Sequence, residues 1–321
     1  MSIRPKHIMA NDLGAAGYQL PADIEASIQA IRDDRQHGAS WLARAAASVL
    51  LRLTEPRDDV HADRWDAVVR IAAQALVASR PSMAAVANTA ARIWGAGQSA
   101  AHAEARKQLR ATAERLATQD EQIQHALRTH AEKLFLGNVY TMSRSGTVED
   151  VLRDLGQRRI IGRVLIGASV PGGEGVAMGR ALAQRGLDVT LVADTACGLF
   201  IGEATCVVLG ADSVRADGSL VNKVGSYPLA LVAREAGKPV YVLCETLKIA
   251  APDFPLVLEE KDPAELLPES PDGLRARNPY FDVTSAALIA GYVTEQGVLD
   301  RETVARHAEV AGAALARLRT E

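Results

Sequence analysis

Apolar residues recur at helical intervals through the first 137 positions of the chain; beyond that they gather into short runs divided by glycine-rich turns. Ile24, Ile28 and Ile31 share one face of a helix that starts at Pro21, Ala22 and Asp23. A break at 37–40 precedes a helix carrying Trp41, Leu42 and Val49, Leu50 and Leu51. Another amphipathic helix is predicted over 65–77, and after a break at 79–82 the next carries Val86, Ala90, Ile93 and Trp94. From about 98 to 136, Leu109, Ala113, Leu116, Ile123, Leu127 and Leu134 recur in near 4-3 spacing, interrupted only by Asp120. That spacing predicts one long helix connecting two domains and offering an oligomer contact. Residues 1–137 therefore read as an all-helical domain ending in a connector helix, and 138–321 as a second domain of a different kind.

In the second part, apolar runs at 139–142, 163–168, 189–193, 206–209 and 240–244 alternate with helical patterns. Such alternation predicts an α/β domain with a parallel, doubly wound sheet covered on both faces. Ligands of such sheets lie at the carboxyl ends of the strands, which here present Ser143, Ser169, Asp194, Asp212 and Glu245. Crowded carboxylates raise one another's pKa, as proton transfer requires. Thr147 and Asp150 resemble a capping box. The turn at 172–175 lacks the three-glycine spacing of dinucleotide sites. A Pro- and acid-rich connection over 252–283 leads to a helix through Leu288 and Ile289, and 301–318 reads as a terminal amphipathic helix.

The stretch 209–226, LGADSVRADGSLVNKVGS, concentrates polar chemistry. A buried strand delivers Asp212, Asp217 to Ser219 form a turn, and a helix is predicted to open at Asn222 and Lys223. Its first-turn N–H groups would then seat a phosphate. The alternative is that Asp212 and Asp217 only cap a turn and Lys223 is solvated.

With 321 residues, 48% of them hydrophobic, the chain can bury one large core or two modest ones, and a net charge of −3 supplies no basic field for nucleic acid. Neither a leader in 1–14 nor an apolar run of membrane-spanning length is expected, which predicts a soluble, cytoplasmic protein. Three cysteines without disulfide or zinc spacing read as reduced thiols, Cys197 and Cys244 near the cleft and Cys206 pointing into the sheet. No metal or cofactor is expected. Residues 131–306 contain no histidine, so a histidine base for a site there must come from elsewhere in the chain.

The runs GADSVRADGSLVNKVGS, CETLK at 244–248 and NPYFDVTSAALIAGYVTEQGVL at 278–299 resemble the initiation factor 2B alpha/beta/delta family. HGASWLAR at 37–44 and RPSMAAVAN at 80–88 extend the resemblance over about 24–300. The family includes ribose-1,5-bisphosphate isomerase, to whose group the spacing is most similar, and methylthioribose-1-phosphate isomerase. The resemblance implies a helical domain, a Rossmann-like domain and a sugar-phosphate pocket between them, in a homodimer or a higher assembly of dimers. It implies that Asp212 is the acid/base of an aldose–ketose isomerisation, and that Arg80, Asn222, Lys223, Ser169 and Gly175 surround the substrate.

Three positions depart from the isomerase pattern. Ser143 stands where the isomerases carry a cysteine, and a hydroxyl is a far weaker acid than a thiol of pKa ~8.5. Val170 and Glu174 stand where they carry arginine and glutamine. His37 stands where the methylthioribose enzymes carry arginine, either replacing a phosphate contact or acting as the missing base. Two functions remain open: an isomerase with an altered acid/base set of Asp212, Ser143 and His37, or a non-catalytic regulatory relative that keeps the pocket.

Overall fold

The computed structural model describes residues 19–34, 37–98, 102–118, 120–269 and 271–320. The stretch 1–14, expected to lack a leader, lies outside these residues.

Four helices follow the expected apolar spacing: α1 (Ala22–Asp33), α2 (Ala39–Arg52), α3 (Trp65–Ser79) and α4 (Ala84–Ala96). Ile24, Ile28 and Ile31 of α1 enter a shared core with Leu42, Leu50, Leu76 and Ile93. The single helix expected over 98–136 is instead two, α5 (His102–Thr118) and α6 (Asp120–Ala131). Their apolar faces serve different cores: Leu109 and Ala113 of α5 join the helical core, whereas Leu127 and Ala131 of α6 pack with the sheet. One 4-3 pattern thus spans two helices with separate partners.

Strands and helices then alternate: β1 (Gly137–Met142), α7 (Gly146–Gln157), β2 (Ile161–Gly167), α8 (Glu174–Ala183), β3 (Val189–Val192), α9 (Cys197–Phe200) and β4 (Cys206–Leu209). The N-cap of α7 is Ser145, whose Oγ accepts from Val148 N at 3.4 Å, so the capping expected at Thr147 falls two residues earlier. After β4 come β5 (Ser213–Val214), β6 (Leu220–Lys223), α10 (Ser226–Glu235) and β7 (Val240–Leu243). The chain closes with β8 (Phe281–Thr284), β9 (Gly291–Thr294), β10 (Gly297–Leu299) and α11 (Arg301–Thr320). The helix expected through Leu288 and Ile289 is only one 3-10 turn, Ala286–Leu288, between β8 and β9.

Seven strands make the main sheet in the order β10-β9-β7-β4-β1-β2-β3, parallel except for β10, which pairs antiparallel with β9. This is the doubly wound α/β, Rossmann-like architecture. From β1 the chain winds outward to β2 and β3, then returns to place β4 on β1's other side. The carboxyl ends of β1 and β4 therefore flank the point where the winding reverses, the crevice that parallel sheets offer to ligands. A second sheet, β5-β6-β8, is antiparallel throughout and stands beside that crevice.

The helical layer and the sheet are joined by specific contacts. Asn88 of α4 donates its Nδ2 hydrogens to the carbonyls of Leu247 and Ile249, both at 2.8 Å. Helix α11 enters both cores, with Val304 and Ala308 among the sheet residues and Leu315 and Leu318 among the helical ones. No helix among the described residues is long and apolar enough to cross a membrane.

Candidate functional site

A cavity of about 720 Å³ opens where the helical layer, the ends of β1 and β4 and the β5-β6-β8 sheet meet. His37, Arg80, Ser143, Asp212, Asn222 and Lys223 all line it. Ser169 and Gly175 do not. Its cations, Arg44, Arg80, Arg144, Lys223, Lys248 and Lys261, are set against the carboxylates Asp34, Asp150, Glu174, Asp212 and Glu259, so the two signs nearly balance.

Asp212 lies three residues beyond β4, where its N–H donates to the Val221 carbonyl at 3.0 Å. Burial pushes its carboxyl above the ordinary carboxylate range; the Lys248 and Lys223 ammoniums oppose that rise and Glu259 adds to it. Lys248 is itself buried, donating Nζ to the Ala211 carbonyl at 2.7 Å. The carbonyls that bracket it in sequence, Leu247 and Ile249, are the two that Asn88 holds. The helical layer thereby fixes a cation beside Asp212.

Ser143 follows β1 with φ 59, and its N–H donates to Ser169 Oγ at 2.7 Å. Ser169, also left-handed at φ 59, donates its N–H to Asp194 Oδ1 at 2.8 Å. Non-glycine residues are uncommon in this region, and here a part-buried hydrogen-bond chain from Asp194 through Ser169 holds Ser143 in it. Ser169 thus supports Ser143 from behind instead of facing a ligand. Gly175 is a packing residue: a Cβ there would overlap the Gly167 carbonyl oxygen, so glycine lets α8 approach the end of β2.

His37 comes from the break between α1 and α2. Its Nδ1 sits 2.7 Å from Asp34 Oδ2, its N–H donates to Asp34 Oδ1 at 2.8 Å, and its ring stacks on Trp41 with centroids 3.7 Å apart. A carboxylate on Nδ1 makes that nitrogen the donor in the neutral ring and leaves Nε2 as the acceptor. Arg80 is buried and donates Nε to the Ile31 carbonyl at 2.8 Å, with a second donor on the Asp34 carbonyl. It therefore holds the end of α1 and the segment carrying Asp34 and His37.

Asn222 and Lys223 are the largest correction to the sequence reading. They end strand β6 and do not open a helix; α10 begins at Ser226, after Gly225 at φ 106. The helix N-terminus expected to seat a phosphate is occupied from within, because Asp282 Oδ2 accepts from Gly225 N at 2.8 Å and Tyr227 N at 3.1 Å. Burial raises the Asp282 carboxyl to about 6 despite those bonds. Asn222 still faces the cavity, with Nδ2 donating to Ser226 Oγ at 2.9 Å. Lys223 Nζ donates to Glu174 Oε1 at 2.7 Å and lies 3.7 Å from the centre of the Tyr280 ring.

The cysteines take no part. Cys244 and Cys206 are buried, which pushes their thiols up to about 12 and 11, and none of the three cysteines lines the cavity. Asp34, Lys248 and Tyr280 went unmarked in the sequence, although Lys248 and Tyr280 fall in its CETLK and NPYF runs and Asp34 precedes His37 by three residues.

The model of the initiation factor 2 subunit family matches residues 35–301. The chain belongs to that family. A ribose 1,5-bisphosphate isomerase of Archaeoglobus fulgidus is 31% identical over 288 residues, 87% of this chain and 90% of that protein. Among solved structures of the family fold, a translation initiation factor eIF-2B of Pyrococcus horikoshii superposes with TM-score 0.72 at 28% identity, covering 87% of this chain and 98% of that one. A tetrameric eIF2B-beta2-delta2 complex of Chaetomium thermophilum contributes a chain with TM-score 0.70 and 20% identity, covering 94% and 99%, a likeness of fold alone. The family thus holds chains named as sugar-phosphate isomerases and chains named as initiation factors.

Proposed function

We propose that this member of the initiation factor 2 subunit family is an aldose–ketose isomerase acting on a pentose 1-phosphate. The observation that carries the reading is the convergence of Asp212, His37 and Ser143 on one cavity that also holds Lys223 and Lys248. Met142 and Glu174 line that cavity without filling it. In the isomerisation the C2 hydrogen moves to C1, the O2 proton ends on the ring oxygen, the C1–O4 bond breaks and C2 becomes the carbonyl carbon. Asp212, whose carboxyl burial raises above its ordinary value, is suited to hold and return a proton at a higher pH than an exposed carboxylate. His37, oriented by Asp34, supplies the second acid/base group through Nε2, and the Ser143 hydroxyl hydrogen-bonds a substrate oxygen. The Lys223 and Lys248 ammoniums, which line the cavity, favour charge that develops on oxygen.

The second reading is a non-catalytic regulatory relative that binds the ligand without turnover. Two features favour it: a hydroxyl at 143, and the Glu174 carboxylate already on Lys223. Proton NMR in D2O with pentose 1-phosphates separates the two. Ketose formation that disappears in Asp212→Asn establishes the isomerase; ligand line-broadening without turnover establishes the regulatory relative; neither signal removes the sugar-phosphate assignment. For assembly we propose a homodimer or an assembly of dimers, measurable by light scattering.

A further inference from the structure

Lys261 reaches the cavity on a short extended segment that runs beside residues 278–280. Its N–H donates to the Asn278 carbonyl and Tyr280 N to the Glu259 carbonyl, both at 2.8 Å, and Glu260 forms a bridge with Pro279. Successive side chains of such a segment point to opposite faces. Glu260 accordingly turns outward, where its Oε1 accepts from the exposed Arg277 Nε at 2.9 Å, while its neighbours Glu259 and Lys261 both line the cavity. The buried Asn278 also donates Nδ2 to the Asp262 carbonyl at 3.0 Å, pinning the residue after Lys261.

The backbone of Lys261 is thus fixed, but its ammonium is not matched. Nζ lies 4.3 Å from the centre of the Tyr280 ring and makes no hydrogen bond or ion pair among the described residues. The Lys223 ammonium lies 3.7 Å from the centre of the same ring. Two like charges therefore gather at one half-buried ring, and Glu174, whose Oε1 accepts from Lys223 Nζ at 2.7 Å, offsets one of them. Elsewhere in the cavity Lys248 donates to the Ala211 carbonyl, Arg80 to the Ile31 carbonyl and Arg144 to Glu149 Oε2. A phosphate oxygen at the Lys261 ammonium accepts its hydrogens and relieves its repulsion from Lys223.

Building on the sugar-phosphate reading, we propose that Lys261 is a phosphate-binding residue, whose ammonium donates to the phosphate of the bound sugar and so ties the 252–280 connection to the ligand.

Isothermal titration of inorganic phosphate and of ribose 1-phosphate into the wild type, Lys261→Met, Lys261→Arg, Arg44→Gln and Arg144→Gln tests this. Lys261→Met, which keeps an apolar stem against the Tyr280 ring, is expected to weaken both ligands by about tenfold or more, and by the same factor. Lys261→Arg, which restores the charge, is expected to recover most of that loss. Wild-type affinities in Lys261→Met, whether or not Arg44→Gln or Arg144→Gln binds more weakly, overturn the assignment and leave the sugar-phosphate reading standing. A loss confined to ribose 1-phosphate does the same, because it places Lys261 on the sugar, and so does a loss that Lys261→Arg fails to recover, which marks a contact of shape alone. Binding of neither ligand to the wild type overturns both readings. Lys261→Gln takes the place of Lys261→Met should that variant fail to fold.

Discussion

On the proposed isomerase reading, proton chemistry in this pocket falls to Asp212, since burial lifts its carboxyl while Lys248 and Lys223 restrain the rise. A base works only when ionised, and a raised pKa means that the proton returns at a higher pH than for an ordinary carboxylate. The acid limb of kcat/KM is therefore expected above the usual carboxylate range, and Asp212→Asn is expected to remove both the limb and the turnover, by about 10²-fold or more. Ser143 bears on the same step. A thiol of pKa ~8.5 exchanges protons near neutrality far more readily than a hydroxyl. Ser143→Cys, with the left-handed backbone already fixed by Ser169, is expected to raise kcat by about tenfold or more with little change in KM; an unchanged kcat would place proton transfer on His37 and Asp212 alone.

Helix α4 and the segment after β7 act as a unit through Asn88, which serves two carbonyls at once. Asn88→Ala leaves both buried acceptors unpaired, an expected loss of about 1–3 kcal/mol in denaturant unfolding. Because Lys248 lies between those carbonyls, the variant is also expected to weaken ligand binding, which a purely structural contact would not do. The elements legible in the sequence are α1 to α4, with their long periodic faces, and five of the six parallel strands, β1, β2, β3, β4 and β7. The strands of the small sheet were not legible, since Ser213 in β5, Asn222 and Lys223 in β6, and Asp282 and Thr284 in β8 leave no apolar run to register. Asn222 and Lys223 were therefore read into α10, and the phosphate seat drawn at its N-terminus belongs to Asp282, 57 residues beyond Gly225 in sequence. His37 and Asp212 could be named as candidates, but only the fold brings a break between N-terminal helices to the edge of the sheet.

The molecule closes on itself through α11, whose first half sits in the sheet core and whose last half sits in the helical core. One cooperative transition is the expected outcome of calorimetry. Leu315→Ala and Val304→Ala, on opposite sides of that junction, are each expected to shift the same transition by about 2–5 kcal/mol; two separating transitions would show that the halves fold independently. The 252–280 connection adds a second tie, since Glu259 lines the cavity and accepts from Ser82 Oγ at 3.0 Å. The Trp41–His37 stack has a spectroscopic consequence. Trp65 and Trp94 are buried in the helical core, whereas Trp41 is half-exposed against the cavity's imidazole. A ligand that enters the cavity changes the surroundings of this stacked indole, so the intrinsic fluorescence of Trp41 is expected to report occupancy without any added label.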